Sequence, residues 1–246
     1  MIMASQMLRS ILGRARSVVV FTGAGISAES GVPTFRGEDG LWKKFRPEEL
    51  ANVDAFMRNP ALVWEWYQAR KRTIRDVKPN PGHFAIADME KRHPSFAVVT
   101  QNIDNLHRRA GSKNVYELHG NIMRDYCMSC GRKFHDEELP DSPGVPRCPC
   151  GGLVRPDVVW FGEILPEGEW KESVRRTERS EVFFSVGTSA VVYPAASLPV
   201  VAKRAGAYVV EVNIEKTELS EVADEVLIGR SGEILPALLS QCYEES

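Results

Sequence analysis

The sequence lacks the features that would place the protein in a membrane, in the secretory route or on nucleic acid. No apolar run approaches the roughly 18 residues of a membrane-spanning helix, and Arg9, Arg14 and Arg16 interrupt the N-terminal segment. We therefore expect no membrane span and no secretory signal, and we predict a cytoplasmic protein. The 31 basic and 33 acidic residues leave a net charge of only -2. Direct nucleic-acid binding is not expected, because no overall charge attracts the chain to phosphate.

Glycine and proline show no compositional bias, and the cysteines are few. The 19 glycines and 15 prolines among 246 residues are too few for a low-complexity chain, and no segment recurs at a fixed period. There are five cysteines, of which four lie between Cys127 and Cys150. In a chain without an export signal, this clustering favours a metal site over disulfides. The remaining composition is that of an ordinary globular protein with one large or two modest domains.

Six short runs rich in β-branched and aromatic residues predict strands. Most are apolar throughout, which is typical of strands buried on both faces of a parallel sheet, and helical stretches separate several of them. The pattern predicts an α/β architecture, preceded by a short amphipathic helix that contains Leu8, Ile11 and Leu12. The six runs are Val18–Phe21, Phe96–Thr100, Val115–Leu118, Val182–Val186, Tyr208–Val212 and Glu225–Ile228.

Two stretches break the alternation of strands and helices. One is helical and rich in Trp, Tyr and Arg, and the other holds the clustered cysteines among Pro and Gly. We interpret both as insertions that form a smaller second module. The predicted boundaries are 1–36, 92–122 and 156–246 for the larger domain, and 37–91 and 123–155 for the smaller one.

A glycine-rich turn follows the first predicted strand. Thr22-Gly23-Ala24-Gly25-Ile26-Ser27-Ala28 has the G-x-G-x-x-A spacing with which dinucleotide-binding folds hold a pyrophosphate. Glycines allow a tight turn and let backbone N–H groups approach phosphate oxygens. A glycine-rich turn that binds nothing is the alternative. No acidic residue closes a second strand about 20 residues later, so the ribose of a dinucleotide would be held elsewhere.

The clustered cysteines form two close pairs, Cys127-x-x-Cys130 and Cys148-x-Cys150. Four thiolates in this arrangement are typical of a tetrahedral zinc ion, and they leave no open position for water. The predicted zinc is therefore a single structural ion that folds a segment poor in apolar residues. Four free thiols or a redox pair are the alternative.

Several motifs together resemble those of the sirtuin family, in the same order over nearly the whole chain. They are the glycine turn, Pro33–Gly37, Thr100–His107, Glu117–Gly120, the four cysteines, Val158–Glu163, Gly187–Ser189, Val192–Ala195 and Asn213–Glu215. The resemblance implies a Rossmann-type parallel sheet with an inserted small zinc-binding and helical domain. It also implies an NAD-dependent protein-lysine deacylase that consumes NAD, takes acylated-lysine proteins as partners, and releases nicotinamide and O-acyl-ADP-ribose.

The resemblance implies catalytic roles for His119 and Asn102. His119 corresponds to the general base of the family, and an ordinary imidazole pKa suits proton removal from a ribose hydroxyl near neutral pH. A lone histidine is more often structural, and the other four are interpreted in that way: His83, His93, His107 and His135.

Further residues are implied as NAD contacts. Asn102 and Asp104 correspond to the pair that holds the nicotinamide ribose and carboxamide. Phe35 would shield the reacting ribose from water, with core packing as its alternative, and Arg36 would neutralise phosphate charge. The other expected cofactor-binding residues are Gly23, Ala24, Gly25, Gln101, Ile103, Gly187, Thr188, Ser189, Asn213, Ile214, Glu215 and Ser231.

The acylated lysine is expected to meet two segments. Val158–Glu163 resembles the segment that pairs with the substrate backbone as an added strand, through Val159, Phe161 and Gly162. A buried strand is its alternative. Tyr67 and Arg70 stand three residues apart on a predicted helix and resemble the Tyr-x-x-Arg signature of sirtuins that remove succinyl and malonyl groups. A solvated basic helix face is the alternative for this pair.

The sequence therefore predicts both deacetylase and desuccinylase activity, with malonyl as a further acyl group. Two other functions stay open. Cleavage of NAD also serves a mono-ADP-ribosyltransferase, and a zinc-bearing NAD sensor would bind NAD without catalysis.

Overall fold

A computed structural model describes residues 4–34, 47–135, 138–139 and 144–243. The strands are β1 (Ser17–Thr22), β2 (Ser95–Thr100), β3 (Val115–Glu117), β4 (Gly120–Cys127), β5 (Lys133–Phe134), β6 (Val154–Val158), β7 (Val182–Val186), β8 (Tyr208–Asn213) and β9 (Glu225–Ile228). The helices are α1 (Gln6–Arg14), α2 (Ala24–Ala28), α3 (Pro47–Leu50), α4 (Val53–Arg58), α5 (Pro60–Asp76), α6 (Pro81–Glu90), α7 (Leu106–Arg109), α8 (Glu167–Glu178), α9 (Leu198–Arg204) and α10 (Ser231–Tyr243). Short 3₁₀ turns span Ala195–Ser197 and Glu218–Glu221.

The larger sheet has six strands in the order β3-β2-β1-β7-β8-β9, and all neighbouring strands are parallel. The predicted α/β architecture is confirmed, and each of the six predicted runs lies in this sheet. The chain adds strands to one side of β1 and then crosses to its other side with β7. Ligands of open parallel sheets bind at such a switch point, beyond the carboxyl ends of the strands.

Apolar side chains cover both faces of this sheet. Val18 and Val20 of β1 belong to the core with α1, α6 and α10, whereas Val19 and Phe21 belong to the core with α8 and α9. Because alternate side chains of a strand point to opposite faces, a continuous apolar run is required here. The predicted helix before β1 is confirmed as α1. No helix among the described residues is long and apolar enough to cross a membrane.

The smaller sheet is antiparallel, in the order β5-β4-β6. Helix α5 packs beside it and begins at Pro60, after Asn59 accepts a side-chain hydrogen bond from the Leu62 N–H. Its buried residues are Val63, Trp64, Tyr67, Lys71 and Ile74. Because these residues recur at helical spacing, they lie on one face of α5, which packs against β4 and β6. Tyr67 lies on this buried face.

Helix α6 falls in the range predicted for the smaller domain, yet its side chains pack under the larger sheet. Ala85, Ile86 and Met89 share a core with Leu235 and Leu238 of α10. The division of the chain into two domains stays a prediction.

Candidate active site

The glycine turn joins the carboxyl ends of β1 and β7. The Gly23 N–H donates to the Val186 carbonyl at 3.1 Å, and the Gly25 N–H donates to the Gly187 carbonyl at 2.8 Å. A Cβ atom on Gly25 would lie 2.7 Å from the Gly187 Cα, which is closer than real Cβ atoms approach. Gly187 itself has φ +58°. The glycines therefore permit a close approach of two backbones, with Ala24 at the start of α2 between them.

Asn102 and Asp104 follow β2 and reach the same turn. The Asn102 Nδ2 donates to the Gly23 carbonyl at 2.9 Å and to the Ser27 hydroxyl at 3.1 Å. That hydroxyl donates in turn to Asp104 Oδ2 at 2.7 Å, and burial raises the pKa of Asp104. Ile103 between them is buried, and its carbonyl accepts the Ile122 N–H. The structure thus brings the predicted pair together, with Ser27 between the two side chains.

Several polar residues of this region were not predicted from the sequence. Thr22 donates to Thr100 at 2.8 Å, and its hydroxyl lies 2.9 Å from His107 Nε2. The His107 ring lies 4.9 Å from that of His83, which approaches Ser27. Burial lowers the pKa of both histidines, so both are neutral at pH 7. Thr22 and Ser27 lie inside the glycine motif, and Thr100 and His107 lie inside the Thr100–His107 motif, whereas His83 lies in neither. The motifs do not predict which of these residues bond to one another, because the partners are far apart along the chain.

His119 lies at the end of the loop between β3 and β4. Its Nδ1 is 3.0 Å from the carbonyl oxygen of Gln101. Because a carbonyl only accepts hydrogen bonds, Nδ1 carries the proton and Nε2 keeps a lone pair. Burial lowers the pKa of His119 below its ordinary value, and the Gln101 carbonyl opposes that shift. The imidazole is therefore a neutral base with Nε2 as its accepting atom.

Most of the cofactor-binding residues predicted near the adenosine lie at the ends of β7 and β8, and Ser231 lies at the start of α10. The Thr188 hydroxyl accepts from Gln101 Nε2 at 2.9 Å, and its carbonyl accepts from Asn213 Nδ2 at 3.1 Å. Ser231 is buried and donates to Glu29 at 2.8 Å. Three predicted residues are exposed beside them: Ser189, Ile214 and Glu215. Phe35 and Arg36 lie outside the described residues.

Tyr67 and Arg70 lie about one helical turn apart on α5, and Tyr67 contacts Trp160, which follows β6. Tyr67 is 3% exposed, and its hydroxyl accepts a hydrogen bond of 2.9 Å from the indole N–H of Trp160. Burial raises the pKa of Tyr67 to about 12. Burial also lowers the pKa of Arg70 to about 10, and its guanidinium lies 4.8 Å from the ring of Trp66. A desolvated cation and a neutral phenol thus lie side by side.

The segment predicted to receive the substrate backbone follows β6 directly. The Val159 N–H donates to the His119 carbonyl at 2.9 Å, and the Phe161 N–H donates to the Ala51 carbonyl at 2.8 Å. Phe161 is 50% exposed, and the exposed Gly162 has φ +87°. The segment is anchored on both sides and presents Phe161 and Gly162 outward.

The four clustered cysteines converge at the ends of β4 and β6. Their sulfur atoms all lie within 4.8 Å of one another. The Cys127 and Cys150 sulfurs are 3.5 Å apart, and those of Cys130 and Cys148 are 3.6 Å apart. Tetrahedral zinc with Zn–S bonds of about 2.3 Å requires sulfur separations of roughly 3.8 Å. The donor set fits one zinc ion with four thiolate ligands.

Comparison with known sequences gives matches along most of the chain. The profile of the Sir2 family matches residues 23–194. An NAD-dependent protein deacylase 2 of Pyrobaculum aerophilum is 53% identical over 232 residues, which cover 94% of this chain and 93% of that protein. An NAD-dependent protein deacylase of Pyrococcus furiosus is 52% identical over 237 residues, with 94% and 95% coverage.

Solved structures agree with these matches. A Sir2 homolog in complex with NAD is 44% identical, covers 98% of this chain and 95% of its own, and superposes with a TM-score of 0.92. A complex of Sir2 with p53 peptide and NAD+ is 34% identical, with coverage of 97% and 98% and a TM-score of 0.86.

Proposed function

This chain belongs to the Sir2 family and is an NAD-dependent protein deacylase, and we propose that it removes both acetyl and succinyl groups from protein lysines. The family follows from the matched profile and from relatives that are about half identical over nearly the whole chain. The pairing of the buried Tyr67 with the desolvated Arg70 carries the proposal on the acyl group. Malonyl is a further acidic acyl group with the same terminal carboxylate.

The residues at the strand ends fit NAD. Because Gly25 and Gly187 have no side chains, their backbones lie close together at the ends of β1 and β7. The side chains of Asn102, Asp104 and Gln101 lie at the same edge of the sheet. Amide and carboxylate groups can bind ribose hydroxyls and a carboxamide. Bound NAD supplies an activated ribose carbon that loses nicotinamide and accepts the acyl oxygen. Phe35, Arg36, Ser189, Asn213, Glu215 and Ser231 are proposed as further contacts.

His119 is proposed as the general base. Its Nδ1 is held by the Gln101 carbonyl, so Nε2 can take the proton of a ribose hydroxyl. The lowered pKa keeps the imidazole neutral at physiological pH. Asn102 is proposed as a second catalytic residue, and its hydrogen bonds to Gly23 and Ser27 fix the orientation of its amide.

One structural zinc completes the fold of the smaller sheet. The thiolate geometry supports four ligands and no catalytic position. Thiolates persist in a reducing compartment, which supports the proposal that the protein works in the cytoplasm.

The substrate peptide is proposed to bind beside Val159, Phe161 and Gly162. The N–H groups of Val159 and Phe161 already donate within the protein, so the exposed Gly162 is proposed as a pairing position. Backbone pairing would make recognition of the flanking sequence loose. The Val159 anchor to the His119 carbonyl places this segment next to the proposed base.

An acidic acyl chain fits the environment of Arg70. A guanidinium binds a carboxylate through two parallel hydrogen bonds, and partial removal from water strengthens that attraction. The phenol of Tyr67 stays protonated because its pKa is about 12, so it can donate a third bond. An acetyl group is shorter and has no carboxylate, so it would bind without this contact.

The test measures nicotinamide release with matched acetyl-lysine and succinyl-lysine peptides. Release should require both a peptide and His119, so His119→Ala should abolish it. Arg70→Met should lower kcat/KM for succinyl-lysine by about 100-fold and that for acetyl-lysine far less, since charged hydrogen bonds contribute about 1.5–3 kcal/mol. Equal losses on both peptides would contradict the acyl assignment. Transfer of ADP-ribose to protein without deacylation would instead favour the mono-ADP-ribosyltransferase.

A further inference from the structure

Trp160 connects the two proposed substrate-binding elements. Its backbone lies between Val159 and Phe161, and its side chain reaches Tyr67 on α5 through the 2.9 Å hydrogen bond. The side chain is only 2% exposed. Neither the predicted site nor the mechanism above uses it.

The indole is held in one orientation. The Arg155 guanidinium carbon lies 3.3 Å from the Trp160 ring centroid, and the Phe56 ring lies 5.3 Å away. Arg155 donates to both oxygens of Glu163, at 2.5 and 2.9 Å. Glu163 also accepts the backbone N–H of Trp160 at 2.7 Å. Charge pairing and ring packing therefore fix the direction of the indole N–H.

That direction determines how Tyr67 can bind a ligand. A phenol has one proton to donate and lone pairs that accept. Because the indole N–H only donates, it occupies a lone pair of the Tyr67 oxygen and the phenol proton must point elsewhere. A carboxylate has only acceptor atoms, so it is the complementary partner for that proton.

We propose that Trp160 is a specificity-determining positioning residue, which orients the Tyr67 hydroxyl as a hydrogen-bond donor to acidic acyl groups. This inference rests on the proposed succinyl-lysine activity. It assigns Trp160 no contact with the reacting atoms, so its effect should fall on the binding of acidic acyl chains alone.

The test is Trp160→Phe, which removes the indole N–H and keeps an aromatic ring beside Arg155 and Phe56. With saturating NAD, we expect KM for a succinyl-lysine peptide to rise about tenfold, the change for one buried hydrogen bond. We expect kcat for that peptide and both constants for the acetyl-lysine peptide to stay within about twofold. Activity on acetyl-lysine reports that the variant is folded.

A double-mutant cycle shows whether Trp160 acts through Tyr67. In a Tyr67→Phe background, Trp160→Phe should change the KM for succinyl-lysine less than twofold. A tenfold rise in that background, or equal losses on both peptides, would overturn the positioning role. A wild type that hydrolyses succinyl-lysine and is unaffected by Trp160→Phe would overturn this inference alone. A wild type inactive on succinyl-lysine would overturn the proposed acyl selectivity together with it.

Discussion

The polar side chains at the ends of β1 and β2 are held differently from those around the antiparallel sheet. Beyond β1 and β2, hydroxyl, amide and neutral imidazole groups bond to one another, as in Thr22 with Thr100 and Asn102 with Ser27, and Ser27 donates to the Asp104 carboxyl group. Around the antiparallel sheet, two ion pairs include buried charges: Lys71 with Asp125, and Arg155 with Glu163. Loss of one partner of a buried ion pair leaves an uncompensated charge, whereas loss of a neutral partner leaves only an unsatisfied hydrogen-bonding group. The comparison indicates that the edge where we propose NAD to bind depends on its apolar sheet, whereas the smaller sheet depends on ion pairs and on metal.

Loss of zinc should destabilise the smaller sheet more than any other change considered below, and it should leave the parallel sheet folded. Cys148→Ser removes one ligand of the four, and structural zinc contributes on the order of 10 kcal/mol to folding. We expect the purified protein to lose its zinc, and residues near β4–β6 to become sensitive to limited proteolysis, while α1 and β1 stay protected. Cys242→Ser is the matched control, since Cys242 lies on α10 outside the cluster. Equal zinc content in the two variants would contradict the assignment of ligands.

Breaking the buried ion pair should have the next largest effect. Lys71 and Asp125 are 2.6 Å apart, and both side chains are fully buried. Lys71→Met leaves the Asp125 carboxylate without its cation, which costs about 3–5 kcal/mol of unfolding free energy. Denaturant unfolding measures this loss.

Two controls separate the ion pair from other effects of Lys71→Met. Lys91→Met breaks the exposed pair with Asp88 and should cost less than about 0.5 kcal/mol. The double variant Lys71→Met with Asp125→Leu should recover much of the loss, because it removes both charges. A double variant no more stable than Lys71→Met would show that the charge imbalance is not the cause.

The same contrast explains which parts of the fold could be predicted from the sequence. The strands of the parallel sheet are buried on both faces, so each appears as an apolar run such as Val18–Phe21. Strands β4 and β6 were not predicted, because Asp125 and Arg155 interrupt their apolar character. Their charges are compensated by Lys71 and Glu163 on other elements. Pairings between distant residues leave no local pattern.

The candidate site divides in a similar way. Residues within short motifs could be identified from the sequence. In the structure, Asn102 and Asp104 meet at Ser27, and the four cysteines form a separate cluster. Ser27 and Trp160 lie inside recognised motifs, but their hydrogen bonds join residues 77 and 93 positions away. Only the folded chain reveals such partners.

The smallest effect is expected for Gly25→Ala, which tests the backbone contact between the ends of β1 and β7 in the parallel sheet. Gly25→Ala would place a Cβ atom 2.7 Å from both the Cα and the carbonyl oxygen of Gly187, and backbone atoms cannot move aside as a side chain can. We expect a loss of about 1–3 kcal/mol of unfolding free energy and a raised KM for NAD, because the ends of β1 and β7 must separate.

Gly13→Ala is the control for Gly25→Ala, since Gly13 lies on α1 with nothing within 4 Å of an added Cβ. It should stabilise the protein by about 0.5–1 kcal/mol, through the higher helix propensity of alanine, and leave the KM for NAD unchanged. Denaturant unfolding measures the stability of the two variants, and deacylation rates at increasing NAD concentration give their KM for NAD. If the Gly25→Ala and Gly13→Ala variants had the same stability and the same KM for NAD, the ends of β1 and β7 would tolerate separation. The hydrogen bonds of Asn102 and Ser27 would then be what holds this edge of the sheet together.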